Sequence, residues 1–230
     1  MTATTLPSHV IEQTIERRGV LHPLADMDSS KTALVVIDMQ DFFIEMVPDA
    51  RSIVTNINEL ARGLRLVGGQ VVWVAMTVDE SDARSWSHFY EKLVSKEMAE
   101  AHFRDLARGG PKWKIWHELN VRDEDWLVEK NRFSAFIQGS SDLEARLRGR
   151  GIETLLIAGT VTNVCCESTA RDAMMLNFQS VMVSDGCAAL DETAHISTLC
   201  NFQSLFGDVL SVEEILSGID RTVAMTRRTV

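Results

Sequence analysis

Three residues combine a chemically capable side chain with a place at the end of a short apolar run: Asp38 after ALVVI, Lys130 after WLVE, and Cys165 in the turn that follows LLIAG. A thiol in the first turn of a helix has its thiolate favoured by the helix end, and a nearby cation lowers its pKa further, so Cys165 is a candidate nucleophile. A carboxylate at the end of a buried strand is poorly solvated and well placed for acid or base work. A lysine beside both would stabilise a thiolate and a developing oxyanion alike. Each has a plainer explanation. Free cysteines are most often small buried hydrophobes, an aspartate after a strand is often a turn cap, and a lysine is usually a solvated charge. Spacing separates the adjacent cysteines. Cys166 shares helical spacing with Ala170 and Ala173 and belongs to a packing face, whereas Cys165 shares it with Ser168, Thr169 and Asp172. The short strand at Leu127 and Val128 delivers either Lys130 or Arg132 to its end.

The elements that must position these residues alternate between strand and helix. Residues 1–30 read as an arm with a short helix around Val10 to Arg17, interrupted by Pro23. Ala33 to Ile37 is a strand buried on both faces. Ile53, Ile57, Leu60, Leu64 and Val67 form a helical stripe that Gly68-Gly69 stops, and Val71 to Met76 follows as a second strand. Residues 77–126 scatter aromatic side chains among charges, with a helical stretch near Phe89 to Leu106, and suit a pocket wall, a subunit contact or, equally, ordinary packing. Asp142 to Arg148 reads as helix. Leu155 to Ala158 is a third buried strand; Thr162 or Asn163 caps the helix after it, and Val181 to Val183 resumes strand. Asp191 to Leu205 is predicted as helix, Val209 to Val212 as the last strand and Glu213 to Leu216 as a final helical turn. This alternation predicts a three-layer α/β/α fold with a mostly parallel sheet of about six strands, residues 31–230 forming one domain. In such sheets ligands sit beyond the carboxyl ends of the strands, where all three candidate residues fall.

Composition narrows the function. A 230-residue chain with 45% hydrophobic residues suits one sizeable core. Its formal charge of -10, with no basic run, speaks against a nucleic-acid surface. No apolar stretch approaches membrane-span length, and the N-terminus carries charges where a signal peptide needs an apolar centre, so a cytoplasmic protein is expected. Four cysteines without a C-x-x-C spacing point to reduced thiols. The six histidines include no i, i+4 pair and no H-x-H, which gives no support to a histidine-built metal site.

The segments VVIDMQDFF, EKNRFSAF and GTVTNVCCESTARDAMMLNF resemble, in order and separation, the three sequence blocks of the isochorismatase-like cysteine hydrolase superfamily. The resemblance implies Asp38 as general base, Lys130 as catalytic lysine and Cys165 as nucleophile. It implies a cis peptide at Thr160-Val161 that orients the N–H groups of Val161 and Cys165 as an oxyanion hole. It also implies a homo-oligomer. Nicotinamidase-type members carry Asp-x-His after the second strand; here Asp79 is followed by Glu80 and Ser81, so neither their metal nor any other cofactor is expected. Isochorismatases proper lack the cysteine. TNVC-ESTARDA, RGIETLLIAGT and LCNFQSLFGDV are most similar to ureidoacrylate amidohydrolases, with Phe133 in place of a tyrosine and Gln203 in place of a glutamate. The expectation is a metal-independent amidohydrolase for a small linear ureide or carboxamide, with Phe43, Thr77, Phe133 and Gln203 as candidate substrate contacts. The alternatives are a catalytically retired or redox-sensing small-molecule-binding protein on the same fold, or an amidase for another substrate such as a cyclic carboxamide.

Overall fold

Alternate residues of the central strand β1 (Thr32–Ile37) feed two different cores, and this period of two sets the layering. Leu34 and Val36 pack with Ile57, Leu60, Leu64, Ile215 and Ile219, which belong to helices α3 (Val54–Leu66) and α9 (Val212–Arg228). Ala33, Val35 and Ile37 pack on the opposite face with Leu147, Ala170, Ala173, Leu199 and Phe202. Those side chains come from α6 (Leu143–Gly149), α7 (Glu167–Met175) and α8 (Glu192–Leu205). A strand covered on both faces has no solvent side for polar residues, which is why β1 reads as an unbroken apolar run.

This computed structural model describes residues 6–228; the first five residues of the arm and the last two of the chain lie outside the described residues. The sheet has six strands in the order β3-β2-β1-β4-β5-β6, every neighbouring pair parallel. β2 is Gln70–Met76, β3 Trp126–Lys130, β4 Thr154–Thr160, β5 Gln179–Ala188 and β6 Asp208–Leu210. The chain builds outward from β1 to β3, then crosses to β4 and builds outward the other way. The order therefore reverses between β1 and β4, and the crevice at such a switch point is where an open parallel sheet binds its ligands. Among the described residues no helix is long and apolar enough to cross a membrane.

The arm forms α1 (Ser8–Arg18), which Gly19 ends in a left-handed conformation. Arg18 donates to the carbonyls of Gln203 (2.7 Å) and Gly207 (2.9 Å), so the arm lies on α8 and the turn before β6. Three expectations need correction. The helical stretch near Phe89 to Leu106 is broken: a wide turn at Phe89–Leu93 is followed by α5 (Lys96–Asp105), because Ser95 leaves helical geometry and its hydroxyl caps Met98 N–H. Two short helices, α2 (Asp41–Met46) and α4 (Glu80–Ser85), were not predicted, the latter closed by a reciprocal Asp79–Asp82 capping box. The expected final turn extends through the 17 residues of α9.

Candidate active site

Asp38, Lys130 and Cys165 come from three non-adjacent segments and meet beyond the switch point. Asp38 directly follows β1 with φ 50, a conformation its neighbours hold in place: its N–H donates to Val74 O (2.9 Å) and its carbonyl accepts from Thr160 Oγ1 (2.9 Å). Lys130 ends β3, two strand spacings of about 4.8 Å from β1. Its long stem crosses the end of β2, and its ammonium donates to Asp38 Oδ2 at 2.7 Å, to Arg132 O at 3.0 Å and to Met76 Sδ at 3.6 Å. The alternative left open by the sequence is thereby closed. Lys130 reaches the aspartate, while Arg132 turns away to Asp82 (3.1 Å) and Ser85 (2.9 Å).

Cys165 is brought in by a local break in β4. Gly159 has φ +112, and a Cβ there would sit 2.1 Å from Ile37 O, so only glycine lets β4 press against the last residue of β1. The β4–β5 pairing shifts between Ile157 and Gly159, and the Thr160–Val161 peptide is cis. A wide helical turn, Thr162–Cys166, then opens: Val161 O accepts from Val164 N (3.0 Å) and from Cys166 N (3.2 Å), with α7 continuing directly from it. Neither Thr162 nor Asn163 acts as the expected side-chain cap. Thr162 Oγ1 instead pairs with His195 Nδ1 of α8 at 2.9 Å, which ties the turn to its neighbouring helix.

Burial sets the electrostatics. Asp38 and Cys165 are 0% and 3% exposed. Loss of solvent pushes the Asp38 carboxyl above the ordinary range, against the downward pull of Lys130, and pushes the Cys165 thiol well above its ordinary value. Burial alone would lower the Lys130 ammonium, but the facing Asp38 and Cys165 outweigh it and the net direction is up. The resting arrangement is a neutral thiol beside an Asp38–Lys130 ion pair. Asp38 Oδ2 is engaged by the lysine, whereas Oδ1 holds no hydrogen bond and is free to take a proton. Cys166 fills the packing role its spacing implied: it is fully buried with Ala170 and Ala173, its thiol 3.9 Å from Ala158 O. Among the described residues no group of three or more His, Cys, Asp or Glu side chains is arranged to hold a metal ion.

The other candidates divide. Phe43 is buried in a small cluster with Phe42, Met76, Val78 and Leu106, next to the side chain that Lys130 crosses. Thr77 N–H donates to Lys130 O (2.8 Å) and its hydroxyl accepts from Trp113 Nε1 (2.7 Å), at the same rim. Phe133, three residues past the lysine, packs edge-on to Trp86 (5.0 Å) and Phe89 (5.3 Å). Gln203 is not brought to the site. Its amide is wholly buried under the arm, donating to Leu21 O (2.9 Å) and accepting from Val209 N (2.7 Å), beside the edge strand on the far side of β5.

Gln40 and Asp82 also shape the site, and sequence reasoning missed both. Gln40, fully buried, imitates a strand partner: its side chain accepts from Met76 N (2.8 Å) and donates to Met76 O (3.0 Å) and Trp113 O (2.7 Å). Asp82 accepts from Asn131 and Arg132 and so fastens α4 to the segment after Lys130. The signal available for Gln40 was a polar residue three positions past the end of a fully apolar run.

Comparison with known proteins gives the family and the fold. Residues 32–214 match the isochorismatase domain model, a span that includes all three meeting residues. The ureidoacrylate amidohydrolase RutB of Variovorax paradoxus is 30% identical over 232 residues, covering 93% of this chain and 90% of its own. RutB of Stutzerimonas stutzeri is 31% identical over 209 residues, covering 83% of each. The crystal structure of a cysteine hydrolase from Pseudomonas syringae pv. phaseolicola superposes with a TM-score of 0.74 at 26% identity, covering 86% of this chain and 96% of that one. On fold, strand order and sequence together, the chain belongs to the isochorismatase family.

Proposed function

We propose that the protein is a cysteine-dependent amidohydrolase that cleaves a C–N bond of a small linear ureide or carboxamide. The observation that carries this reading is the fully buried Lys130–Asp38 pair at 2.7 Å beside the Cys165 thiol. Buried ion pairs do little for stability, so one set against a nucleophile calls for a functional reason. The relatives named ureidoacrylate amidohydrolase support the reaction class.

Cys165 Sγ attacks the substrate carbonyl while its proton passes to Asp38, and the N–H groups of Val161 and Cys165 receive the oxyanion. Collapse of the tetrahedral adduct breaks the C–N bond; the amine or ammonia leaves with the proton from Asp38, and a thioester remains. Water then gives a proton to Asp38, attacks the thioester and restores the thiol. Lys130 keeps the site neutral overall in each state by facing first the carboxylate and then the thiolate or oxyanion. A buried site tolerates a travelling negative charge only on that condition. Raised thiol pKa and near-complete burial weigh against the redox-sensor reading, since oxidation-sensing thiols are accessible and acidic.

The test is turnover of a panel of ureides, linear amides and nicotinamide by the wild type and by Asp38→Asn and Lys130→Met, with intact-mass detection of an acyl adduct on Cys165. Hydrolysis that survives both substitutions, or nicotinamide as the best substrate, would overturn the proposal.

A further inference from the structure

The turn Thr162–Cys166 carries the nucleophile and, with Val161 before it, the two backbone N–H groups assigned to the oxyanion. No side chain caps its start or the start of α7, and its closure is wide: Val161 O accepts from Cys166 N at 3.2 Å. A misplacement of about 1 Å in groups that meet a transition state costs about a hundredfold in rate, so such a turn calls for an outside anchor. Among the described residues, the Asp38–Lys130 pair aside, the side chain of another element that bonds to this turn is His195 of α8. Its Nδ1 lies 2.9 Å from Oγ1 of Thr162, a residue that is 0% exposed.

His195 sits in the first turn of α8, which Asp191 caps by accepting from Ala194 N at 2.8 Å. Further along the helix, Leu199 and Phe202 lie in the same core cluster as Cys165, Cys166 and Ala170. The ring is thus carried by an element already docked against the nucleophile's own helix. It also bonds the backbone of Ser184 in β5. Ser184 lies where β5 and β4 fall out of step: Ile157 pairs with Met182 but Gly159 with Cys187, so five steps of β5 face two of β4. The imidazole therefore spans the two irregular segments, the bulged stretch of β5 and the turn after β4. Burial lowers the His195 pKa, which leaves the ring neutral at neutral pH with one N–H. With that N–H given to the Ser184 carbonyl, Nδ1 accepts the Thr162 hydroxyl proton.

Resting on the amidohydrolase reading, we infer that His195 is a positioning residue for the reaction: through Thr162 it holds the turn so that the Cys165 thiol and the Val161 and Cys165 N–H groups meet the substrate carbonyl together. Its effect belongs to the transition state more than to substrate binding, because the oxyanion exists only there. A second tie, Thr198 Oγ1 to Glu167 Oε2 at 3.4 Å, also joins α8 to α7 but lies past the turn, so its removal shows what loosening α8 does alone.

Steady-state kinetics on the best amide of the panel test this. His195→Ala and Thr162→Val should each lower kcat by about tenfold or more, with KM within about twofold of the wild type. The double variant should be no slower than either single one, because both remove the same bond. His195→Asn keeps a polar group at the position of Nδ1 and should recover most of the loss. Propanal gives a readout that needs no turnover: Cys165 Sγ adds to its carbonyl carbon, the thiol proton ends on the carbonyl oxygen, and there is no leaving group to expel. The hemithioacetal oxygen occupies the place of the oxyanion, so the dissociation constant for propanal should rise about tenfold in His195→Ala. Unchanged kcat, a rise in KM alone, multiplying losses in the double variant, or no recovery in His195→Asn would each overturn the inference. So would equal propanal affinity in the wild type and His195→Ala, or a kcat loss of the same size in Thr198→Val. Weaker propanal binding in His195→Ala, with no amide hydrolysed by the wild type, would overturn the amidohydrolase reading alone; a wild type that neither hydrolyses an amide nor takes up propanal would overturn both.

Discussion

Cys165 and Cys166 are adjacent, equally hidden from solvent and chemically identical, so what distinguishes them is direction. Cys165 faces the Asp38–Lys130 pair, while Cys166 packs with Ala170 and Ala173 under the sheet. Cys165→Ser should therefore abolish turnover, by about a thousandfold or more, in a protein with unchanged circular dichroism. Cys166→Ala should keep near-normal kcat at a stability cost of about 1 kcal/mol for the small cavity. An acyl adduct mapped to Cys166 by mass spectrometry would reverse the assignment. The pH profile carries a second prediction. Asp38 must be ionised to accept the thiol proton, and burial raises its pKa above the ordinary value of about 3.9, so the acid limb of kcat/KM should lie above that value. Lys130 is shifted upward and stays protonated through neutral pH, so no alkaline loss should arise from it below its ordinary value of about 10.5. An acid limb at or below the ordinary aspartate range would contradict the burial argument. At this scale the sequence was informative, because Asp38 and Lys130 stand at the ends of short strands and Cys165 in the turn after a third, and parallel strands bring such ends to one side of the sheet. The partners were less visible: nothing in the spacing says that Lys130 rather than Arg132 crosses β2, since that depends on where Asp82 anchors the guanidinium.

Elements reach the site only as accurately as they are docked, and β3 is the one most in need of help. It is an edge strand of five residues with a half-exposed face, and it carries the lysine. Its anchor is Asp125, immediately before it. The carboxylate takes a two-pronged bond from Arg65 of α3 (3.0 and 2.6 Å) and a third from Trp73 Nε1 of β2 (2.8 Å), with both charged side chains largely buried. Asp125→Ala would strand the Arg65 guanidinium without its partner. The expected cost is about 3–5 kcal/mol, the usual penalty for breaking one side of a buried pair. Activity should fall with it as β3 loosens. Chemical denaturation measures the first effect and kcat the second; a loss under about 1 kcal/mol would show that β3 is held by strand pairing alone. Strands and long helices were legible because their periodicity is imposed by the core. The insertion between β2 and β3 was not, because its order comes from capping and cross-linking polar groups such as Asp79, Asp82 and Ser95. The length of α9 was missed for a related reason: its apolar positions Ile215 and Ile219 meet the core, but Glu213 and Glu214 at its start read as a short polar end.

Seen whole, the molecule is a sheet whose candidate site lies at the switch point and whose edge strand β6 is sealed by the arm. His22 Nδ1 meets Asp208 Oδ1 at 2.9 Å, Leu24 N–H donates to Asp208 Oδ2 at 3.1 Å, and Gln203 bridges Leu21 to Val209. Asp208 raises the pKa of His22 through their hydrogen bond, so this contact contributes stability that is complete below the unfolded histidine value of about 6.5 and is lost as pH rises through the folded one. Gln203 belongs to this seal, and that gives its substitution a distinctive signature. In Gln203→Glu the new side chain still accepts from Val209 N–H but no longer donates to Leu21 O, and it places a second buried carboxylate near Asp208. The loss should be about 1–3 kcal/mol at neutral pH. Burial and the neighbouring Asp208 raise the pKa of the new carboxyl, so the deficit belongs to pH above its unfolded value of about 4.3 and should shrink as the pH falls below the raised folded value. A protonated carboxyl regains a donor for Leu21 O. Melting curves of the wild type and Gln203→Glu across that interval check the sign, and kcat/KM for two different amides checks the location. Substrate preference should be unchanged, because the residue lies beyond β5 from the thiol. Altered selectivity with an unaltered melting curve would place Gln203 at the substrate after all and would undo its assignment to the arm.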